Sequence, residues 1–157
     1  MSHTHTFHAS LLVLALATAA CGGGYDPPVS TPSVPSSVQH LAESVVNSAF
    51  IVAPRTFKPF KVTLMPGMTN ARLEGTFTAS GANDDIEVTL LDEAQFANWQ
   101  NRSKFEAAYE SGRVTSGKIA INLPARPGTY YVVFSNRFSL ISNKAVTADL
   151  QLRYDKS

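Results

Sequence analysis

A chain of 157 residues, 44% hydrophobic and 16% charged, holds one ordinary domain with a real core and little room for a second. Its 13 basic and 12 acidic residues leave a formal net charge of +1, which supplies no field for nucleic acid. One cysteine excludes an internal disulfide framework and any CxxC zinc site, so packing has to stabilise the domain.

The chain opens with "MSHTHTFHASLLVLALATAACGGGYDPP". The apolar run from Leu11 to Ala20 has about ten residues, roughly half of what a bilayer-spanning helix needs, and is the length of a signal-peptide core. His3, His5 and His8 precede it, with no Lys or Arg. Thr18, Ala19 and Ala20 are small enough to lie extended in a peptidase cleft directly before Cys21. These residues resemble a bacterial lipobox. The resemblance implies that the Cys21 thiol is diacylglycerated, that the peptide is cut just before it, and that the new amino terminus is acylated. The competing interpretation is an ordinary secretory signal with an incidental cysteine.

After Cys21, three glycines, Asp26-Pro27-Pro28 and "VSTPSVPSS" form a tether with almost nothing to bury. A lipidated cysteine needs such a spacer. At about 0.8 kcal/mol per buried methylene, two or three acyl chains anchor a protein for good. Gly22 after the cysteine is not the aspartate that retains lipoproteins in the inner membrane of some bacteria. The expected organisation is a signal peptide over 1–20, a lipidated tether over 21–42 and a domain over 43–157. The expected location is the bacterial cell envelope, at the periplasmic or surface face of the outer membrane.

Beyond Glu43 the hydrophobic period becomes two. "SVVNSAFIVAP" and "KPFKVTL" read as strands, the second with Pro59 marking an edge or a bulge. "ARLEGTFTAS" puts Leu73, Gly75, Phe77 and Ala79 on one face, and "DIEVTLLD" puts Ile86, Val88 and Leu90 inside. "DEAQFANWQNRSKFEAAYESG" breaks the pattern, with Asp92 as helix N-cap and Gln95 three residues on. It is expected to form two short helical turns, one presenting Phe96 and Trp99, the other Phe105, Ala108 and Tyr109, whose aromatic rings pin the insertion to the sandwich. "GKIAINLP" alternates with Ile119, Ile121 and Leu123 inward, and "AVTADLQLRY" with Val146, Ala148, Leu150, Leu152 and Tyr154. Between them "TYYVVFSN" is apolar on both faces, as a central or covered strand must be. Turns fall at "MPGMTN", "SGANDD" and "PARPG". The expected fold is all-β, an antiparallel β-sandwich of jelly-roll or immunoglobulin-like type with about seven to eight strands and a short helical insertion.

"NDDIEVTLLD" and "LPARPGTYYVVFSN" carry a further likeness. Together with the chain from about Lys58 to Tyr154, they resemble the pre-peptidase C-terminal domain of secreted bacterial proteins and, more distantly, the Golgi-dynamics domain of eukaryotic cargo receptors. The resemblance implies a β-sandwich that serves as a non-catalytic accessory or interaction module.

Catalytic chemistry is not expected. A serine nucleophile needs a base within reach, and after processing only His40 remains, beside the tether. Asp84 and Asp85 are adjacent and would point to opposite faces of a strand. With Asn83 they offer too few oxygens for calcium, which takes six to eight, and they read as turn residues. No cofactor or metal set is expected. The sequence therefore points to a non-catalytic module for a protein or glycan partner, anchored in the membrane through Cys21. The alternative is a structural envelope lipoprotein without a discrete ligand. Alternating strand directions from "KPFKVTL" onward would gather "MPGMTN", the Asp92 to Gly117 insertion and "NRFSLISN" at one end, with "SGANDD" and "PARPG" at the other. Trp99, Arg102, Arg137 and Phe138 are then the candidate partner contacts, being residue types enriched at binding hot spots.

Overall fold

A computed structural model describes residues 37–156. Cys21, the apolar run and most of the tether lie outside the described residues. The domain is an antiparallel sandwich of two four-stranded sheets, one ordered β1-β8-β3-β6 and the other β2-β7-β4-β5. The strands are β1 (Gln39–Val52), β2 (Phe57–Leu64), β3 (Met68–Ser80), β4 (Ile86–Asp92), β5 (Tyr109–Val114), β6 (Ser116–Asn122), β7 (Gly128–Ser135) and β8 (Lys144–Lys156). This order, with first and last strands paired and connections passing between sheets, is the jelly-roll arrangement. β1 takes in Gln39 to Ala42, which the sequence had assigned to the tether.

Alternation sets the core. Leu73, Phe77 and Ala79 of β3 and Val146 to Tyr154 at every second position of β8 are buried against Ile86, Val88 and Leu90 of β4. Phe134 of β7 sits at the centre, its ring 5.2 Å from Phe50 and 5.8 Å from both Phe60 and Phe77. Full burial of one such side chain contributes about 2 to 3 kcal/mol. Pro59 lies on β2, an edge strand, where its missing N–H breaks no ladder.

β7 is apolar on both faces because both are covered. Its outward Val133 and Tyr131 pack with Leu91 beneath helix α1 (Glu93–Gln100), through Phe96 and Trp99. The Asp92 carboxylate caps α1 by accepting the Gln95 N–H at 2.8 Å. The helix ends in a Schellman motif: Arg102 N–H donates to Trp99 O at 3.2 Å and Ser103 N–H to Asn98 O at 3.0 Å, with Arg102 at φ 58°.

Two expectations are corrected. The second helical turn does not form: Phe105 lies in an irregular return segment, and Tyr109 opens β5, paired with Leu90. The polar stretch after Gln100 offers no apolar stripe to continue a helix, whereas the β4 edge offers a ladder. The extra strand β5 also reverses the direction of everything after it. "NRFSLISN" therefore shares an end with "SGANDD", since Ser80 pairs with Ala145 and Glu87 with Ser135. "PARPG" shares the other end with "MPGMTN", since Leu64 pairs with Gly128.

Candidate functional site

Chain direction fixes what each end carries. Gln39 pairs with Lys156, so the chain enters the domain at the "MPGMTN" end; Val52 pairs with Lys144 at the other. A 14-residue strand separates the two ends by roughly 45 Å at about 3.3 Å per residue.

At the far end the β7–β8 connection, residues 136–143, is held by hydrogen bonds within itself and to the β1–β2 connection. Asn136 Nδ2 donates to Val52 O at 3.1 Å and to Ser142 O at 2.8 Å, and the Arg55 N–H donates to Asn136 O and Ser139 O at 3.1 Å each. Ser139 Oγ donates to Ser142 O at 3.1 Å. With the flanks held in this way, Leu140 and Ile141 project from the tip, 67% and 89% exposed. Two adjacent aliphatic side chains lifted into water on a bonded loop gain nothing for the fold.

Arg113, Phe138 and Lys144 line one hollow with Leu140 and Ile141, and a second arginine sits apart on the aromatic rings beside α1. Arg137 lies with its guanidinium carbon 3.9 Å from the Trp99 ring centre and 4.6 Å from that of Phe57, and its Nη1 donates to Trp99 O at 3.1 Å. Burial, and secondarily the neighbouring Arg102 charge, lower its pKa from the usual arginine value. Arg113 stacks over Phe138 at 4.2 Å and pairs with Glu87 at 3.1 Å. Arg55 at φ 61°, Asn83 at 68°, Asp84 at 46° and Arg102 at 58° adopt left-handed backbone at this end. Such conformations in non-glycine residues cost about 1 to 3 kcal/mol each and cluster where loops are shaped for a task.

The four candidate residues are thus divided. Trp99 and Arg137 are in direct contact, Arg102 stands exposed beside them, and Phe138 faces away onto Arg113 and Lys144. Trp99 packs on the outer face of the β2-β7-β4-β5 sheet and not in the end of the core. Asp84 accepts the Gly81 N–H at 2.8 Å, and Asp85 is ion-paired with Lys144. No group of three or more metal-ligating side chains occurs among the described residues. Leu140 and Ile141 were passed over in the sequence; an aliphatic pair inside an otherwise polar connection was the available signal.

The outer face of the β1-β8-β3-β6 sheet is different in kind. Its shallow cleft of about 320 Å³ is lined by Arg72, Glu74, Lys118, Asp149 and Arg153, and Glu74 is paired with both Arg72 and Arg153. That is a solvated surface of interleaved charges, three cations with two carboxylates. No protein-family model matches the chain, and no curated protein matches it either.

Proposed function

We propose that this is a lipid-anchored protein of the bacterial envelope whose sandwich is a non-catalytic interaction module. Cys21 and the signal-like segment before it support anchoring, and Gly22 supports the outer membrane. The "NDDIEVTLLD" and "LPARPGTYYVVFSN" resemblance supports an accessory role. One observation carries the proposal: Leu140 and Ile141 are held exposed on a hydrogen-bonded loop at the end opposite Gln39. β1 begins at Gln39, at the opposite end of the sheet from this loop, which is offered as the surface that meets a protein or glycan partner. Exposed aliphatics that share one hollow with Arg113 and Phe138 match the apolar centre and arginine- and aromatic-bearing margin of recognition surfaces.

The test pairs labelling with capture. Wild-type protein should incorporate a palmitate analogue, and Cys21→Ser should not. From envelope extract, the full chain should capture a stoichiometric partner that Leu140→Ser/Ile141→Ser loses without a change in unfolding midpoint. Association with peptidoglycan or bulk membrane alone, unaffected by the double substitution, would favour a purely structural lipoprotein.

A further inference from the structure

Two open sheets leave four edge strands, β1 and β6 on the first, β2 and β5 on the second. An edge presents unpaired N–H and C=O groups, and natural proteins blunt it with proline, charge, a bulge or brevity. Three of the four are blunted here. β2 carries Lys58, Pro59 and Lys61; β5 has six residues, with Glu110, Arg113 and a bulge at Ser111 and Gly112 opposite Val88; β6 has seven residues and Lys118. β1 is 14 residues long, and its own bulge falls at Val45, between Ser44↔Gln151 and Val46↔Leu150. His40 and Glu43 lie before that point. The stretch that follows, "VNSAFIV" from Val46 to Val52, keeps unbroken register with β8 and contains no charge, proline or glycine.

We propose that this edge pairs with the same edge of a second copy of the chain, antiparallel about a two-fold axis through Ala49, so that two four-stranded sheets join into one. The edge is open. Ser48 lies opposite the buried Ala148 on the core side of the sheet and is nonetheless exposed, as are Asn47, Ala49 and Ile51 on the outer side. Apart from Val52 O, which accepts from Asn136 Nδ2, no backbone group from Val46 to Val52 has a hydrogen-bond partner beyond the β8 ladder among the described residues. An extended backbone is what matches such a row of alternating donors and acceptors.

Symmetry and charge select a second copy. The stretch is centred on Ala49, so an axis there uses all of it: Val46 of one copy faces Val52 of the other, Ser48 faces Phe50, and the two small Ala49 side chains meet on the axis. On the outer side Ile51, 59% exposed, reaches the other copy's Ala49 on the diagonal. Identical strands bring like charges face to face, and this stretch has none. The outer face beside it is equally neutral, with Ala49, Ile51, Thr78, Ser80, Ala145 and Thr147 on the walls of its hollow. The chain's own tether is a poor occupant, since Pro27, Pro28, Pro32 and Pro35 have no N–H to give a ladder. Thr147 stands one strand inside β1, about 10 Å from the second copy at two strand spacings, and outside the contact. The pairing is distinct from Leu140 and Ile141 and does not depend on the loop-end proposal.

The test is sedimentation equilibrium of the full chain in a density-matched detergent, from about 1 μM to about 1 mM. Wild type should pass from monomer to dimer as concentration rises. Ala49→Lys and Ala49→Glu each set like charges opposite one another on the axis, and each should raise the dimer dissociation constant at least about tenfold. Mixed in equal amounts, the two variants should restore the dimer as a one-to-one pair, which a folding defect would not do. Each is checked for a wild-type circular dichroism spectrum. Wild type that stays monomeric throughout overturns the second copy as occupant and leaves the edge to a strand of another protein. A dimer that neither variant weakens, or that mixing the two well-folded variants fails to restore, overturns the β1 edge as the contact.

Discussion

Lys144 and Asp85, 59 residues apart in the chain, form the most buried ion pair among the described residues, and the Lys144 side chain is 1% exposed. The same ammonium donates to Ala82 O, so one cation fastens the β3–β4 turn to the start of β8 beneath the projecting loop. Breaking such a pair by removing one partner strands a buried charge. Asp85→Asn should therefore cost about 3 kcal/mol, while Lys144→Met with Asp85→Leu should recover most of that loss. Urea unfolding of the three proteins checks this; equal destabilisation by the single and double changes would contradict it.

Arg102 occupies the left-handed position that ends α1, where glycine is the favoured residue. Arg102→Gly should stabilise the domain by about 1 kcal/mol by relieving backbone strain. Should Arg102 be kept for its charge at the loop end, the same substitution will weaken partner capture. A fall in thermal midpoint on Arg102→Gly would show that its side chain supports the fold instead.

Gly75 lies inside β3 at φ +144°, and a Cβ there would stand 2.8 Å from the Leu150 Cα and against the Asp149 carbonyl oxygen. Neither neighbour is a flexible side-chain tip. Gly75→Ala should lose roughly 3 kcal/mol, combining strained backbone with displacement of the central β8 strand. Retention of the wild-type denaturant midpoint would mean that β3 follows another path.

What the sequence made legible, and what it did not, follows from the range of the forces involved. Strands with one buried face, such as that of Leu73, Phe77 and Ala79, write their orientation into a period of two, and Asp92 writes a helix start into a local hydrogen bond. β5 did neither. Its bulge at Ser111 and Gly112 breaks the period, and as an edge strand it directs only Tyr109 and Val114 at the core. Missing that strand inverted the assignment of ends for every later loop. Trp99 and Arg137 still meet, because α1 runs along the sheet and brings its own C-terminus to the β7–β8 loop. The Asp85–Lys144 pair arises only from tertiary packing, so no local pattern announces it.

At the end where the chain enters, Asp155 accepts from Asn70 Nδ2 at 2.8 Å and contacts His40 Nδ1. The Asn70 hydrogen bond, then the His40 contact, hold its carboxyl below the usual carboxylate range. A depressed carboxylate contributes stability that is complete above its unfolded value of about 3.9 and is lost as pH falls through its folded value. Stability measured from about pH 5 to about pH 2 should accordingly fall less steeply in Asp155→Asn than in wild type. Parallel profiles would remove Asp155 from the acid response.

The loop-end proposal meets its most direct test in site-specific photo-crosslinking in intact cells, with the photoreactive residue at Ile141 or, for comparison, at Thr147 on the outer face of the first sheet. Both positions are exposed, so labelling chemistry does not favour either. The account predicts a discrete crosslinked species from Ile141 and none from Thr147. Crosslinks from Thr147 alone would contradict it and move the contact surface to the polar sheet face.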